Sequence, residues 1–138
     1  MIGKIKRGKD FVGVCIYVLH EEKVVSPKII GGNMANRSPI GLAREFRTIS
    51  SSNSRVKIPV KHFSISFAPQ DGRLDSDTKS KIAKEYINRM GYGNNQYLVV
   101  NHDRTDHNHN HDHIHIVANA VDLDGKWVND RMNWKDSL

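Results

Sequence analysis

The chain has 138 residues, with 21 Lys and Arg against 15 Asp and Glu, a net charge of +6 and a single cysteine, Cys15. One thiol cannot close an internal disulfide, so a stapled secreted scaffold is excluded and a reducing compartment is expected. With 38% hydrophobic residues and a mean hydropathy of −0.57, no run approaches the roughly 18 apolar residues of a membrane helix, and the charged start Met1–Arg7 lacks the apolar stretch of a signal peptide.

Ile2–Lys6 predicts a short first strand. Residues 10–19 fit two patterns. As a helix, Phe11, Val14, Cys15 and Val18 recur on one face with Asp10 as N-cap; as a strand, Val12, Val14, Ile16 and Val18 alternate. The helix is preferred. Residues 24–33 read as a strand stopped by Gly31-Gly32-Asn33. Ser38-Pro39, a cap followed by a proline at the first helical position, opens a helix to about Thr48, and a polar loop covers 50–55. Residues 60–67 alternate cleanly. Phe63, Ile65 and Phe67 share one face and His62, Ser64 and Ser66 the other, the pattern of a half-buried strand. A turn over 69–73 leads to a helix over 76–90, whose stripe of Ile82, Ala83, Tyr86, Ile87 and Met90 is ended by Gly91. Gln96–Asn101 and His113–Val121 are strands, and Asp122–Gly125 is a hairpin-like turn before Lys126-Trp127-Val128. The order β-α-β-α-β-α-β-β predicts an α+β domain built on a mostly antiparallel central sheet with helices packed on it.

Charge and histidine are both unevenly placed. Residues 1–61 hold 12 basic residues against 4 acidic, and residues 62–138 hold 9 against 11. The basic front half suits a polyanion such as nucleic acid, or else a solvated basic surface. Six of the eight histidines, His102, His107, His109, His111, His113 and His115, fall within 14 residues. On the last strand His113, His115, Val117 and Asn119 point one way, and Ile114, Ile116 and Ala118 the other. Histidines two apart on a strand stand about 6–7 Å apart at Cα with parallel side chains, so both rings can bend onto one metal ion about 2.0–2.2 Å away. His102, at the end of the neighbouring predicted strand, is the candidate third ligand. Asp103 or Asp106 is placed to accept the second ring N–H of a ligand, with Asn119 grouped beside them. His107, His109 and His111 lie among Asn and Asp and read as a His-rich loop.

These residues resemble a family. Gln96-Tyr-Leu-Val-Val-Asn-His102-Asp-Arg-Thr-Asp-His followed by His113-Ile-His115-Ile-Val-Ala-Asn119 resembles the metal-site motif of plasmid mobilisation relaxases, HUH (His-hydrophobic-His) endonucleases of the MobA/VirD type. Met1–Ile5 with Phe11-x-Gly13-x-x-x-Tyr17-Val18-Leu19 resembles the family's nucleophile motif. Gly31-Gly32-Asn33-Met34 and His62-Phe63-Ser64-Ile65-Ser66-Phe67 resemble its middle segments, so the likeness runs over about residues 1–128. Arg104 stands where the family often has Asp, and His102 and His113 are 11 apart, about three more than usual, which keeps His109 and His111 as alternative ligands. The resemblance implies a palm-like HUH fold. Residues 1–138 would then be the relaxase catalytic domain, the N-terminal part of a longer bacterial cytoplasmic protein.

It also implies a tyrosine nucleophile, and four tyrosines compete. Tyr86 lies on an apolar helix stripe, Tyr97 lies in a strand and Tyr92 follows a helix end. Tyr17 points away from the apolar face of its segment whether that segment is helix or strand, with Gly13 leaving room beside it. Tyr17 is therefore the candidate. The implied reaction is site- and strand-specific nicking of single-stranded origin-of-transfer DNA through a 5′-phosphotyrosine, reversible because the protein–DNA bond is still a phosphodiester. The implied cofactor is one divalent cation, Mn²⁺ or Mg²⁺ by family habit, with Zn²⁺, Ni²⁺ or Co²⁺ equally suited to imidazoles. Lys4, Lys6, Arg7, Lys9, Arg44 and Arg47 are candidate phosphate contacts, and His62 and Ser64 candidate lining of the DNA site. Accessory relaxosome proteins and a coupling protein are the implied partners, without membrane insertion. Two other readings remain at this level: a rolling-circle replication initiator, whose tyrosine usually follows the histidines, and a non-enzymatic His-rich metal- or DNA-binding module.

Overall fold

The computed structural model describes residues 2–22, 25–68, 72–104 and 113–129. Its elements run β1 (Ile2–Gly8), α1 (Phe11–Val18), β2 (Val25–Gly32), α2 (Pro39–Ser50), β3 (Val60–Ser66), α3 (Ser76–Arg89), β4 (Asn95–Arg104) and β5 (His113–Asp122). This is the predicted order and the predicted α+β class. The strands form one sheet in the order β1-β3-β5-β4-β2, and every neighbouring pair is antiparallel. Among the described residues no helix is long and apolar enough to cross a membrane.

Residues 10–19 resolve to the helix. Asp10 accepts from the Val12 N–H at 2.9 Å and so caps α1, while Phe11, Cys15 and Val18 are buried. Ser38 caps α2 through Gly41 N–H with Pro39 beginning the first turn, and Asp75 caps α3 through Thr78 N–H. Helix α3 stops one residue earlier than the periodicity suggests, at Arg89. Gly91 then adopts φ +93°, and the Tyr92 N–H turns back to the Ile87 carbonyl at 2.9 Å. Gly32 is required for a different reason. At φ +112° it passes so close to β4 that a Cβ would lie 2.3 Å from the Tyr97 carbonyl oxygen.

β5 is central, and period-two alternation gives it two different faces. One face, with Ile114, Ile116 and Ala118, joins Phe63, Ile65, Val99 and the α3 residues Ala83, Tyr86 and Ile87 in an apolar core. Among the described residues, α1 and α2 cover one end of the opposite face. There Val117, Val60, Leu98 and Val100 pack with Phe11, Cys15, Val18, Leu42 and Phe46, and the Phe11 and Phe46 rings stack at 4.7 Å. Asn119 and the histidines share this second face. The hairpin-like turn is present, with Asp122 Oδ1 accepting the Asp124 and Lys126 N–H groups, and Asn53 donating to the Gly125 carbonyl.

Candidate metal centre and the tyrosine beside it

The register of the sheet assembles the site. His115 lies opposite Ser64 on β3 and Val100 on β4, His62 lies opposite Lys6 on β1, and Lys4 lies opposite Ser64. Even-numbered residues of β3 and odd-numbered residues of β5 therefore point to the same side. His102, at the other end of the chain's β4, meets them there. Its ring centroid is 4.2 Å from that of His115 and 5.5 Å from that of His113, and His113 and His115 are 4.8 Å apart. One nitrogen from each of His102, His113 and His115 lies within 4.8 Å of the others, a group that can hold a metal ion.

The hydrogen bonds around these rings are directional. His115 is only 4% exposed, and its Nδ1 faces His62 Nε2 at 2.8 Å and Ser64 Oγ at 3.3 Å. Its Nε2 is buried with no hydrogen-bond partner among the described residues. A buried nitrogen left open costs free energy, on the order of 1–3 kcal/mol, unless something binds it. That open atom, beside two further imidazoles, fits a cation. Burial pushes His115 down to about 2, with the neighbouring His102, His62, His113 and Lys6 acting the same way. Burial, Lys6 and His102 push His62 down to about 4. His102 is also lowered, first by burial, against the opposing pull of the Val18 carbonyl it bonds. These rings are therefore neutral at pH 7 and keep the lone pairs a metal needs.

Tyr17 stands over this cluster. It is 60% exposed, and its ring centroid is 5.9 Å from His62 and 6.0 Å from His115 in edge-on contacts. The other tyrosines are spent on packing. Tyr86 and Tyr92 are buried against Phe63, and Tyr97 is half-buried against the same core. Tyr92 follows the helix end, between α3 and β4, and the chain reversal at Gly91 turns its ring inward. Cys15, two residues from Tyr17, is buried, and burial followed by the Asp10 charge raises its thiol to about 12, so it stays a protonated packing group.

The remaining candidates fall in three places. Lys4, Lys6, Arg7, Lys9, Arg44 and Arg47 are exposed, with Lys4 and Lys6 on the strand flanking His62 and Ser64. His62 and Ser64, grouped in sequence with DNA contacts, are in the structure the immediate partners of His115. Alternation already put them on one face of a strand, but only strand pairing brings that face to the histidines. Asn119 does not support the ligands. Its Nδ2 donates to the Phe46 carbonyl and to Gln96 Oε1, and its Oδ1 accepts from Val121 N–H, so the whole side chain is used at the α2 end of β5. Asp103 lies on β4 opposite Ser26, while Asp106, His109 and His111 lie outside the described residues.

The family model described as "Relaxase: MobA/VirD2-like, nuclease domain" matches residues 17–138. No curated protein and no solved structure matches the chain.

Proposed function

The chain belongs to the MobA/VirD2-like relaxase nuclease family, which makes it a DNA-nicking enzyme, and from that premise we propose that Tyr17 is the nucleophile and that His102, His113 and His115 hold one divalent cation beside it. The observation that carries this reading is the position of the one strongly exposed tyrosine among the four, about one ring's width from His62 and His115. A nucleophile needs a solvent-facing hydroxyl and a group that fixes the reacting phosphate within reach of it.

The substrate in this reading is single-stranded DNA at a plasmid origin of transfer. The Tyr17 oxygen bonds to phosphorus, and the bond from phosphorus to the 3′ oxygen breaks. Tyrosine gives up its proton and the leaving 3′ oxygen gains one, so proton and charge balance over the step. The product is a 5′-phosphotyrosine and a free 3′-OH, and the same hydroxyl can reverse the step. When bound, the cation supplies positive charge to the phosphate oxygens as charge develops there. The chain's own residues do the rest. His62 and Ser64 hold the His115 ring by Nδ1 and leave Nε2 for the cation. Lys4 and Lys6 line the approach and offer phosphate contacts that position a strand without reading its bases. Donor chemistry suits Mn²⁺, Mg²⁺ or a softer ion such as Zn²⁺. In a mobilisation setting the enzyme would work with accessory relaxosome proteins and a coupling protein.

The test is adduct formation. The protein is incubated with Mn²⁺ and single-stranded oligonucleotides tiling the origin of transfer of its parent replicon, and denaturing gels are read for a DNA-linked band. The wild type forms the adduct and Tyr17→Phe does not, a loss of at least about 10³-fold. An undiminished adduct in Tyr17→Phe removes Tyr17 from the reaction. Absence of any adduct with wild type across the tiled site removes the phosphotyrosine step.

A further inference from the structure

A helix leaves its last carbonyls without intrahelical partners. At the end of α1, Leu19 N–H reaches the Cys15 carbonyl at 3.2 Å, and His20 N–H reaches the Tyr17 carbonyl at 3.4 Å. The Val18 carbonyl is taken by a side chain from across the site, His102 Nε2 at 2.8 Å. A carbonyl only accepts, so Nε2 carries the proton of this bond. In a neutral imidazole the lone pair is then on Nδ1. His115 is arranged the opposite way, with Nδ1 turned to His62 and Ser64 and Nε2 left open. Two histidines of one cluster thus offer different nitrogens, and one of them is bonded to the residue next to Tyr17.

We propose that His102 is a positioning residue that ties the metal centre to the nucleophile helix, binding the cation through Nδ1 while its Nε2–H holds the Val18 carbonyl. The proposal rests on the reading of His102 as a ligand and Tyr17 as the nucleophile. A cation on one nitrogen of imidazole draws electron density from the ring and makes the opposite N–H a stronger donor. Metal loading therefore tightens the last turn of α1. That turn has reason to depend on outside ties. The helix is eight residues long, well below the roughly 12–15 at which an isolated helix becomes even marginal, and Ile16 and Tyr17 are both exposed. The cation that positions the phosphate would in this way also position the hydroxyl that attacks it, so nucleophile and phosphate would be set by one ring.

Zn²⁺ serves as a diamagnetic probe, with ¹⁵N spectra of the histidine rings, amide hydrogen exchange along α1 and calorimetry on the full chain. In the metal-free protein His102 shows the Nε2-protonated tautomer. On Zn²⁺ addition His102 Nδ1 moves to a coordinated shift, Nε2 stays protonated, and exchange at Leu19 and His20 slows several-fold. The wild-type spectra alone decide the point. His102→Gln sharpens it, because the glutamine amide can reach the Val18 carbonyl but offers no second ring nitrogen: metal-free exchange stays near wild type and the Zn²⁺-dependent slowing is lost. Coordination through His102 Nε2, or Zn²⁺ bound at His113 and His115 with unchanged exchange at Leu19 and His20, overturns the tether and leaves the metal centre standing. No Zn²⁺-dependent shift at any of the three histidines overturns the metal reading and the tether together.

Discussion

Strand β5 carries two buried polar side chains on one face, four residues apart, and they are used in opposite ways. At Asn119 every polar atom of the side chain is bonded, to the Phe46 carbonyl, Gln96 and Val121 N–H. At His115 one ring nitrogen is held by His62 and Ser64 and the other is left open in a buried setting. Both residues are similarly inaccessible, at 0% and 4% exposed, so burial does not distinguish them. Satisfaction does. A closed polar network fixes α2 against the sheet, whereas a buried atom held open by its neighbours is ready for a ligand.

The first prediction separates the two ends by metal affinity. His115→Ala removes the open nitrogen and is expected to weaken metal binding by more than the roughly 100-fold that marks the upper end for a supporting residue, read by calorimetry. Asn119→Ala should leave that affinity within about twofold. An equal loss in both would erase the distinction.

Stability should reverse the ranking. Asn119→Ala strands the Val121 N–H in the interior and removes the side-chain tie to α2, and should cost about 1–3 kcal/mol in urea unfolding. A cost below about 0.5 kcal/mol would show that the network is not structural.

The metal-free protein should also lose stability with acid at the histidine end. In the unfolded chain His62 titrates near 6.5, and in the folded protein it is held down to about 4. Above about pH 6.5 both states are neutral and the full contribution is present. As pH falls below that, the unfolded chain binds protons first, so stability drops by on the order of a few kcal/mol by about pH 4. His115, held down to about 2, extends the decline further. Saturating metal, which binds only the folded and neutral form, should shift the onset to lower pH. A flat profile between about pH 7 and about pH 4 would contradict the burial of these rings.

A smaller effect is expected at His62. His62→Ala removes the partner of His115 Nδ1 and should weaken metal binding about 10–100-fold, less than loss of His115 itself. The smallest effect belongs to Gly13. It is exposed on α1, and a Cβ there would meet only Asp10 Oδ2 at 4.0 Å. Gly13→Ala should therefore stabilise the protein by about 0.5–1 kcal/mol through helix propensity, read as a raised urea midpoint. A fall in stability would mean that the space beside Tyr17 is not open.

Much of this was legible in the residues. Alternation placed Phe63 and Ile65 on one face and His62 and Ser64 on the other, and the caps Asp10 and Ser38 and the stop at Gly91 lie where local chemistry puts them. Periodicity could not decide between helix and strand for residues 10–19, because both patterns bury apolar side chains. Packing of Phe11, Cys15 and Val18 against α2 and β5 settled it.

Sequence by itself determined the class of the fold, the one tyrosine set off from an apolar face, and the placing of His113 and His115 on one strand face, because these follow from local periodicity and residue type; pairing of β4 with β5 brought His102 to them. Tertiary structure alone decided what those side chains touch. The pairing of β3 with β5 turned His62 from a surface candidate into the partner of His115. The approach of α2 took Asn119 away from the site, and the end of α1 met His102 across the sheet. Register and helix placement are set by contacts between residues as far apart as Val18 and His102, and no local pattern encodes a hydrogen bond across 84 positions.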